Sequence, residues 1–560
     1  MTGARGETHS LRVPPDRGVG LTMKMILAVA LCTLALTSSL PAQAHDSSAM
    51  GQLGTVSFST SCNPAVQPQF NRAVALMHSF QFGPAIEGFN SVLVDDPTCA
   101  IADWGIALST WGNPFAGFKT PSQRDQGLKA VTQARAIAAK TSRERAYIDA
   151  VSQLYVGNPQ VDRSTRLLAY EHAMAVVAAR YPVDIEATIF YALALAAAAD
   201  PSDKTYTKQL KAGALLEGLF AKYPNHPGLA HYIIHAYDQP ALASRAAKAA
   251  RRYGEIAPST PHALHMPSHT FTRVGDWQSS IDTNILSARA ARAANQPADV
   301  LHASDYMVYA YLQTGQDNAA KQLVASSAQT FLGFDPAHAT GAAPASAAYF
   351  AHAAIPARYC LERRAWADAA KLELHPSNLP FADSITYLAQ GLGAAHLKDA
   401  AAAGKTIQAL EQTRVKLISQ HEIYWANQSE IQREEVVATL AFAEGHVADA
   451  LAQMRNAVLL EDKTETASVT PGPLTPAREM LGNFLLELKR PSEALKEFEA
   501  TLVREPNRFW SLYGAGEAAK RGGDDRKADL YFRKLLSVAE RTDQPGRPEL
   551  AEARAAVQHP

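Results

Sequence analysis

The feature that most constrains this chain is a 34-residue repeat near its C-terminal end. Gly482, Ala494 and Phe498 recur as Gly516, Ala528 and Phe532, each pair 34 residues apart, with Leu481 and Pro506 completing the first unit. Equal offsets among small and large apolar residues describe a helix-turn-helix unit. Such a unit cannot bury its apolar face alone, so neighbours must stack into a superhelix with a concave surface. Ala85, Phe89 and Pro97 keep the spacing of Ala494, Phe498 and Pro506 and place a weaker unit at the other end. Further helical pairs are legible around Trp366-Ala369 and Gly445-Ala450. The expected class is all-α, a helical-hairpin α-solenoid with a concave groove. Gly514 to Ala519 imitates a dinucleotide-binding fingerprint, but no strand precedes it, and Gly516 is the repeat's packing glycine.

The rest of the chain divides around this stack. Residues 463–476, KTETASVTPGPLTP, carry three prolines and a glycine and read as a loop or a break. The expected order is therefore a solenoid over 45–462, that loop, a C-terminal repeat pair over 477–545 and a polar tail over 546–560. The apolar run Ile26–Leu36 follows Lys24 and precedes the small-residue site Ala42-Gln43-Ala44, so residues 1–44 read as a secretory signal peptide, with Met23 as an alternative start. This eleven-residue run is too short to span a membrane. The mature protein is expected in the periplasm or secreted, without a membrane span. With 47% hydrophobic residues the 560-residue chain is globular, and a net charge of −1 offers no field for nucleic acid or anionic lipid. Cleavage would leave Cys62, Cys99 and Cys360; either Cys62 pairs with Cys99 across the first helical pair, or all three are buried thiols.

Histidines concentrate in residues 226–309. His231 and His265 are 34 apart, and so are His235 and His269, so successive units carry histidine at the same two positions. With Pro258 ending one unit and Gly275-Asp276-Trp277 at the turn of the next, these units resemble tetratricopeptide repeats. In that family the second, fifth, ninth and twelfth positions of the first helix face the groove. The resemblance implies that His231, His235 and Asp238 occupy the last three of those positions in one unit. His262, His265 and His269 would take the first three in the next, and His302, Asp305 and Tyr309 the same three in the third.

Side chains three or four apart on a helix stand about 5–6 Å apart, and neighbouring helix axes about 8–10 Å. Imidazoles from adjacent helices can then meet on one ion, for which zinc requires nitrogen at about 2.0–2.1 Å. The pairs His231/His235 and His265/His269 are the leading metal ligands, with His262 and His302 as further candidates. Zinc fits best, and copper, iron or nickel also accept imidazole. Pro267 should kink its helix beside them. Asp238 and Asp305 are either ligands or acceptors that fix the imidazole tautomers. There are more groups than one four-coordinate ion needs, so either two metals bind or some residues face a substrate. Three readings stand: a metal site, a metal-free ligand or catalytic groove, and structural hydrogen bonding. His78, His338, His352, His375, His396, His421 and His446 read as surface or hydrogen-bonded core residues, and Trp104, Trp111, Trp277 and Trp366 as packing aromatics.

Longer strings also resemble one family: LMHSFQF at 76–82, DPTCAIADWGIAL at 96–108, HPGLAHYIIHAYDQP at 226–240, HALHMPSHTFTRVGDW at 262–277, HASDYMVYAYLQ at 302–313, VTPGPLTPARE at 469–479 and PNRFWSLYGAGEAA at 506–519. They are similar to exported bacterial tetratricopeptide repeat proteins of unassigned function, over roughly residues 60–540. The resemblance implies a fold and no activity. Thr466 and Ala467 stand where such relatives carry lysine and histidine, which argues against a metal-binding role for that loop. The expected function is an exported binding protein whose groove takes a metal or another polar ligand, with a peptide, protein or small molecule as partner. The alternative is a metal-dependent enzyme, hydrolase or oxidoreductase, with Asp238, Asp305 or Tyr309 as general acid or base.

Overall fold

The computed structural model describes residues 51–116, 120–137, 139–158, 161–339 and 341–558, and residues 51–560 group as one unit. The expected signal peptide, residues 1–44, lies outside the described residues. Among the described residues the regular structure is entirely helical, and no helix is long and apolar enough to cross a membrane. Consecutive helices form antiparallel hairpins that stack in chain order, as the 34-residue spacing requires. The repeat's aromatic and glycine positions explain one another. A Cβ at Gly482 would lie 2.8 Å from the Phe498 ring, one at Gly514 2.4 Å from it, and one at Gly516 2.5 Å from Phe532. The phenyl ring of each second helix therefore needs a bare backbone on the helices beside it, and Gly105 meets Phe89 at 2.4 Å in the same way.

The superhelix closes on itself. The turn at Gly275, held at a φ of +72°, abuts the carbonyl of Pro506, so closely that a Cβ would stand 2.2 Å from its oxygen. The Trp277 indole donates to the Asn507 carbonyl at 2.9 Å, and Asn507 Nδ2 donates back to Gly275 O at 2.9 Å. Farther along, Phe509 N donates to Gln313 Oε1 and the Trp510 indole to Glu362 O. The C-terminal repeats thus sit against the central ones. Residues 546–560, expected as a polar tail, instead contain the helix Pro548–Gln558. Leu550 and Ala553 are fully buried there against the preceding pair, and Arg547 binds Asp317 at 2.6 Å. Their i, i+3 spacing covers the open apolar end of the last repeat. Cys62 and Cys99 form a disulfide with a Cα separation of 4.9 Å, and Cys360 is a buried free thiol.

Closure decides what fills the interior. The 463–476 segment is indeed non-helical, but it threads through the superhelix and is pinned by two fully buried arginines. Arg358 donates to Thr470 Oγ1 at 2.7 Å and to Gly472 O at 3.0 Å, while its Nε binds Asp305 at 2.8 Å. Arg273 donates to Pro471 O at 2.5 Å. Guanidinium donors suit this task because five N–H groups can serve several carbonyls at once.

Candidate metal centre

The first helices of three successive units carry the histidines: Pro227–Ala236, then Pro261–His265 with Pro267–Arg273, then Pro297–Gln313. The middle helix breaks at Met266, as Pro267 dictates, because a proline has no N–H for the preceding turn. The six imidazoles fall into two triads, His231/His235/His262 and His265/His269/His302, with the candidate ligand atoms of each within 4.8 Å of one another. Each expected i,i+4 pair is therefore completed by one histidine of a neighbouring unit. His262 shares a helix with His265 yet serves the other triad.

The cluster does not line an open groove, as the repeat pattern suggested. None of the six side chains is more than 9% exposed. Phe80, in the turn after the first helix, stacks on His235 and His262 at 5.5 and 5.3 Å, and Phe115 stacks on His235 at 4.2 Å. From the other side comes the threaded loop, whose Ser468 and Thr470 carbonyls accept from the Tyr306 hydroxyl at 3.0 and 3.3 Å. Tyr306 Oη in turn lies 3.3 Å from His269 Nδ1.

Hydrogen bonding fixes the tautomers. Asn284 Nδ2 donates to Ser280 O, so its Oδ1 is the acceptor that faces His265 Nδ1 at 2.6 Å. His269 Nδ1 faces Asp238 Oδ2 at 2.8 Å. Burial pushes the Asp238 carboxyl up, but the Arg273 guanidinium and the His269 imidazole outweigh it and hold the pKa below the usual value. His231 Nδ1 faces the His78 carbonyl at 2.6 Å. All three acceptors lack a hydrogen to give, so each Nδ1 carries the proton and each Nε2 presents a lone pair. Yet His265 Nε2 and His269 Nε2 stand 3.0 Å apart, and His231 Nε2 stands 3.0 Å from His262 Nε2.

In the first pair two lone pairs oppose each other and repel at that distance unless a cation lies between them, whereas His262 can carry its proton on Nε2 and donate it to His231. Burial and then the neighbouring His302 and His269 hold the His265 pKa well below its ordinary value, so the cation is either a proton carried by His269 beside Asp238 or a metal ion shared by both rings. Two nitrogens 3.0 Å apart, each about 2.05 Å from a shared ion, subtend roughly 94° there, within the range of distorted tetrahedral and octahedral sites. His235 reinforces the point. It is buried, both ring nitrogens lack a hydrogen-bond partner, and the ring is wedged between phenyl groups. An unpaired buried polar group costs about 1–3 kcal/mol, which a bound ion would recover.

Not every expected site residue joins the cluster. Asp238 does, as the acceptor for His269 with Arg273 Nε 3.2 Å from its other oxygen. Asp305 is instead the partner of Arg358. The Tyr309 hydroxyl accepts from Arg508 at 3.2 Å and lies 3.4 Å from Glu505. Tyr306 is the phenol that meets the imidazoles, and its i,i+4 relation to His302 was the available signal. Phe80 and the His78 carbonyl had none, being brought in from another repeat, and Asn284 reaches His265 from the second helix of the same repeat. His78 is a hydrogen-bonded core residue: its Nε2 and that of His226 each meet one oxygen of Glu186 at 2.9 Å, and its Nδ1 meets Tyr232 Oη. That third group of possible ligands satisfies itself.

Two expectations follow. Asp238→Asn removes the charge that holds the His269 tautomer, so the affinity of the second triad should fall about 10–100-fold in chelator competition while helicity is retained. The second concerns pH. Burial lowers the pKa of His235, His262 and His265, and brings His231 and His302 to about 3. An unfolded histidine takes up a proton near pH 6.5, so the unfolded chain binds more protons below that value. The stability from keeping these rings neutral is full above pH 6.5 and is lost as pH falls from there towards 3. The metal-free protein should therefore show urea midpoints that drop steeply below pH 6.5, at about 1.4 kcal/mol per pH unit for each such ring. Equal midpoints at pH 7 and 5 would contradict this.

No protein-family model matches the chain, and no curated protein matches it. Among solved structures, human IFIT1 as a dimer with m7Gppp-AAAA is similar over 79% of this chain and 90% of its own, at 12% identity and a TM-score of 0.35. The IFIT1 dimer with PPP-AAAA covers 86% and 96% at 12% identity and a TM-score of 0.34. A chain of the APC/C hetero-tetramer Cut9-Hcn1 covers 88% and 96% at 11% identity and a TM-score of 0.28. The architecture of this chain rests on its own stacked hairpins, which make it a tetratricopeptide-like helical repeat protein.

Proposed function

We propose that this protein is an exported helical repeat protein that holds transition-metal ions in its buried six-histidine cluster, one ion in each triad. The observation that carries the reading is the opposed pair His265 Nε2 and His269 Nε2, 3.0 Å apart, with both Nδ1 atoms committed to acceptors. Orienting each imidazole through its outer nitrogen is how proteins prepare histidine for a metal. Zinc, copper and iron all accept such a nitrogen set, and zinc agrees with three neutral ligands and a fourth position left for a small ligand. His231, His235 and His262 would hold one ion, and His265, His269 and His302 the other. Asp238, Asn284 and the His78 carbonyl would set the rings, and Tyr306 would bring the cluster into contact with the threaded loop.

Burial favours retention of the metal over turnover of a large substrate, because Phe80, Phe115 and residues 468–472 cover the imidazoles. Export is supported by the apolar run Ile26–Leu36 and by the Cys62–Cys99 disulfide, which belongs to an oxidising compartment. The test is elemental analysis of the protein purified without chelator, with cobalt(II) reconstitution as a spectroscopic check of nitrogen ligation. Stoichiometric metal supports the reading. Its absence after reconstitution with zinc, copper and iron would leave a metal-free polar core.

A further inference from the structure

On the side of the threaded loop away from the histidines lies a cavity of about 50 Å³, between the helices Ala345–Glu362, Pro380–His396 and Ile423–Ala443. One wall is aromatic. Phe381 stacks on Trp425 at 4.6 Å, and Phe350 lies 5.8 Å from the same indole. The other wall carries two carboxyls, Glu435 and Glu461, and no arginine or lysine lines the cavity. Each carboxyl has a single partner on one oxygen: Thr475 Oγ1 donates to Glu435 Oε2 at 3.1 Å, and Ala477 N to Glu461 Oε2 at 3.2 Å. The nearby Arg504 spends its guanidinium on the backbone carbonyls of Glu461 and Thr464.

Acidic groups alone do not make a site, but a third group points the same way. Gln432 also lines the cavity, is 92% buried at a relative exposure of 8%, and leaves its Oε1 acceptor without a partner. The cavity therefore offers acceptors and π-faces without a cationic side chain of its own. A carbonyl oxygen, two carboxyls and an aromatic face are what a desolvated organic cation requires, and a metal ion would gain nothing from the indole. Burial pushes the Glu435 carboxyl well up, with Glu461 adding to the rise, and brings Glu461 to about 7 although Arg504 pulls it down.

We propose that this cavity is a second, metal-independent site that binds a primary ammonium group. The ammonium would donate to Glu435, Glu461 and Gln432 while its alkyl stem lies along Trp425. Its source is either a small alkyl diamine or the lysine of a peptide, and the size of the cavity admits only the ammonium and its first carbons in both cases. The test is calorimetric titration of the metal-free full chain with 1,5-diaminopentane and with trilysine, using 1-pentanol as the neutral control. Saturable binding of one cation is expected, and the tighter probe identifies the source. Glu435→Gln/Glu461→Gln should weaken it at least about tenfold while the double variant stays folded, because the amides keep the size of the side chains but cannot carry the negative charge that pairs with the ammonium. Zinc loading should leave it unchanged. No saturable binding of either cation, equal binding of 1-pentanol, or an unaltered affinity in the double variant would overturn the proposal.

Discussion

Protein loaded with metal should contain two ions per chain, and each histidine pair should remove one. His265→Ala/His269→Ala is expected to leave about one equivalent in the His231/His235/His262 triad, and His231→Ala/His235→Ala to leave about one in the other. All four substitutions together should leave none. The effect on stability should be large. A ligand present at a thousand times its dissociation constant adds about 4 kcal/mol for each site, so stripping the parent with a chelator should lower its unfolding midpoint by far more than stripping the fourfold variant. Measured by elemental analysis and urea unfolding together, this separates a metal centre from a hydrogen-bonded histidine core. In the latter, chelator would change nothing. Loss of both ions in either double variant would show a single shared centre in place of two.

Arg358 carries the second large effect. Its guanidinium is fully buried, binds Asp305 and holds Thr470 and Gly472. Burial raises the Asp305 carboxyl, and Arg358 counters this only in part. Arg358→Met should cost about 3–5 kcal/mol in urea unfolding, the range for removing one partner of a buried ion pair. It should also free the 463–476 loop, read as new proteolytic cuts between Lys463 and Pro476. Asp305→Leu combined with Arg358→Met should cost less than the sum of the single changes, since no lone charge is then left behind. Additive costs together with a protected loop would show that the pair does not hold the segment.

The loop illustrates where sequence reading stops. Three prolines and a glycine in 463–476 announce a break in helical structure, and a break is what is found. Nothing in that stretch announces that it crosses the interior, because the arginines that hold it stand 112 to 198 residues earlier in the chain. The tail misleads for a related reason. Residues 546–560 intersperse charged side chains among alanines, which reads as a tail, yet two buried side chains three residues apart are enough to seat a terminal helix.

The repeat and the cluster were legible for a local reason. Period 34 places equivalent residues at equivalent heights in stacked hairpins, so His231 and His265, or His235 and His269, had to lie on neighbouring first helices. That much the chain determines by itself: an all-helical stack, the glycine and phenylalanine positions that pack it, and six imidazoles on the first helices of three successive units. The tertiary structure alone decides that those imidazoles are buried, because the superhelix closes and draws Phe80, Phe115 and the threaded loop over them. It alone divides them into two triads, since the helix crossings bring His262 to His231 and His302 to His265 although His262 and His265 share one short helix. It also sends Asp305 and Tyr309 to arginines and brings Asn284 and Tyr306 to the histidines. Periodicity specifies which residues share a height and a face, whereas side-chain partners depend on distances across the stack, and those exist only once the chain has closed.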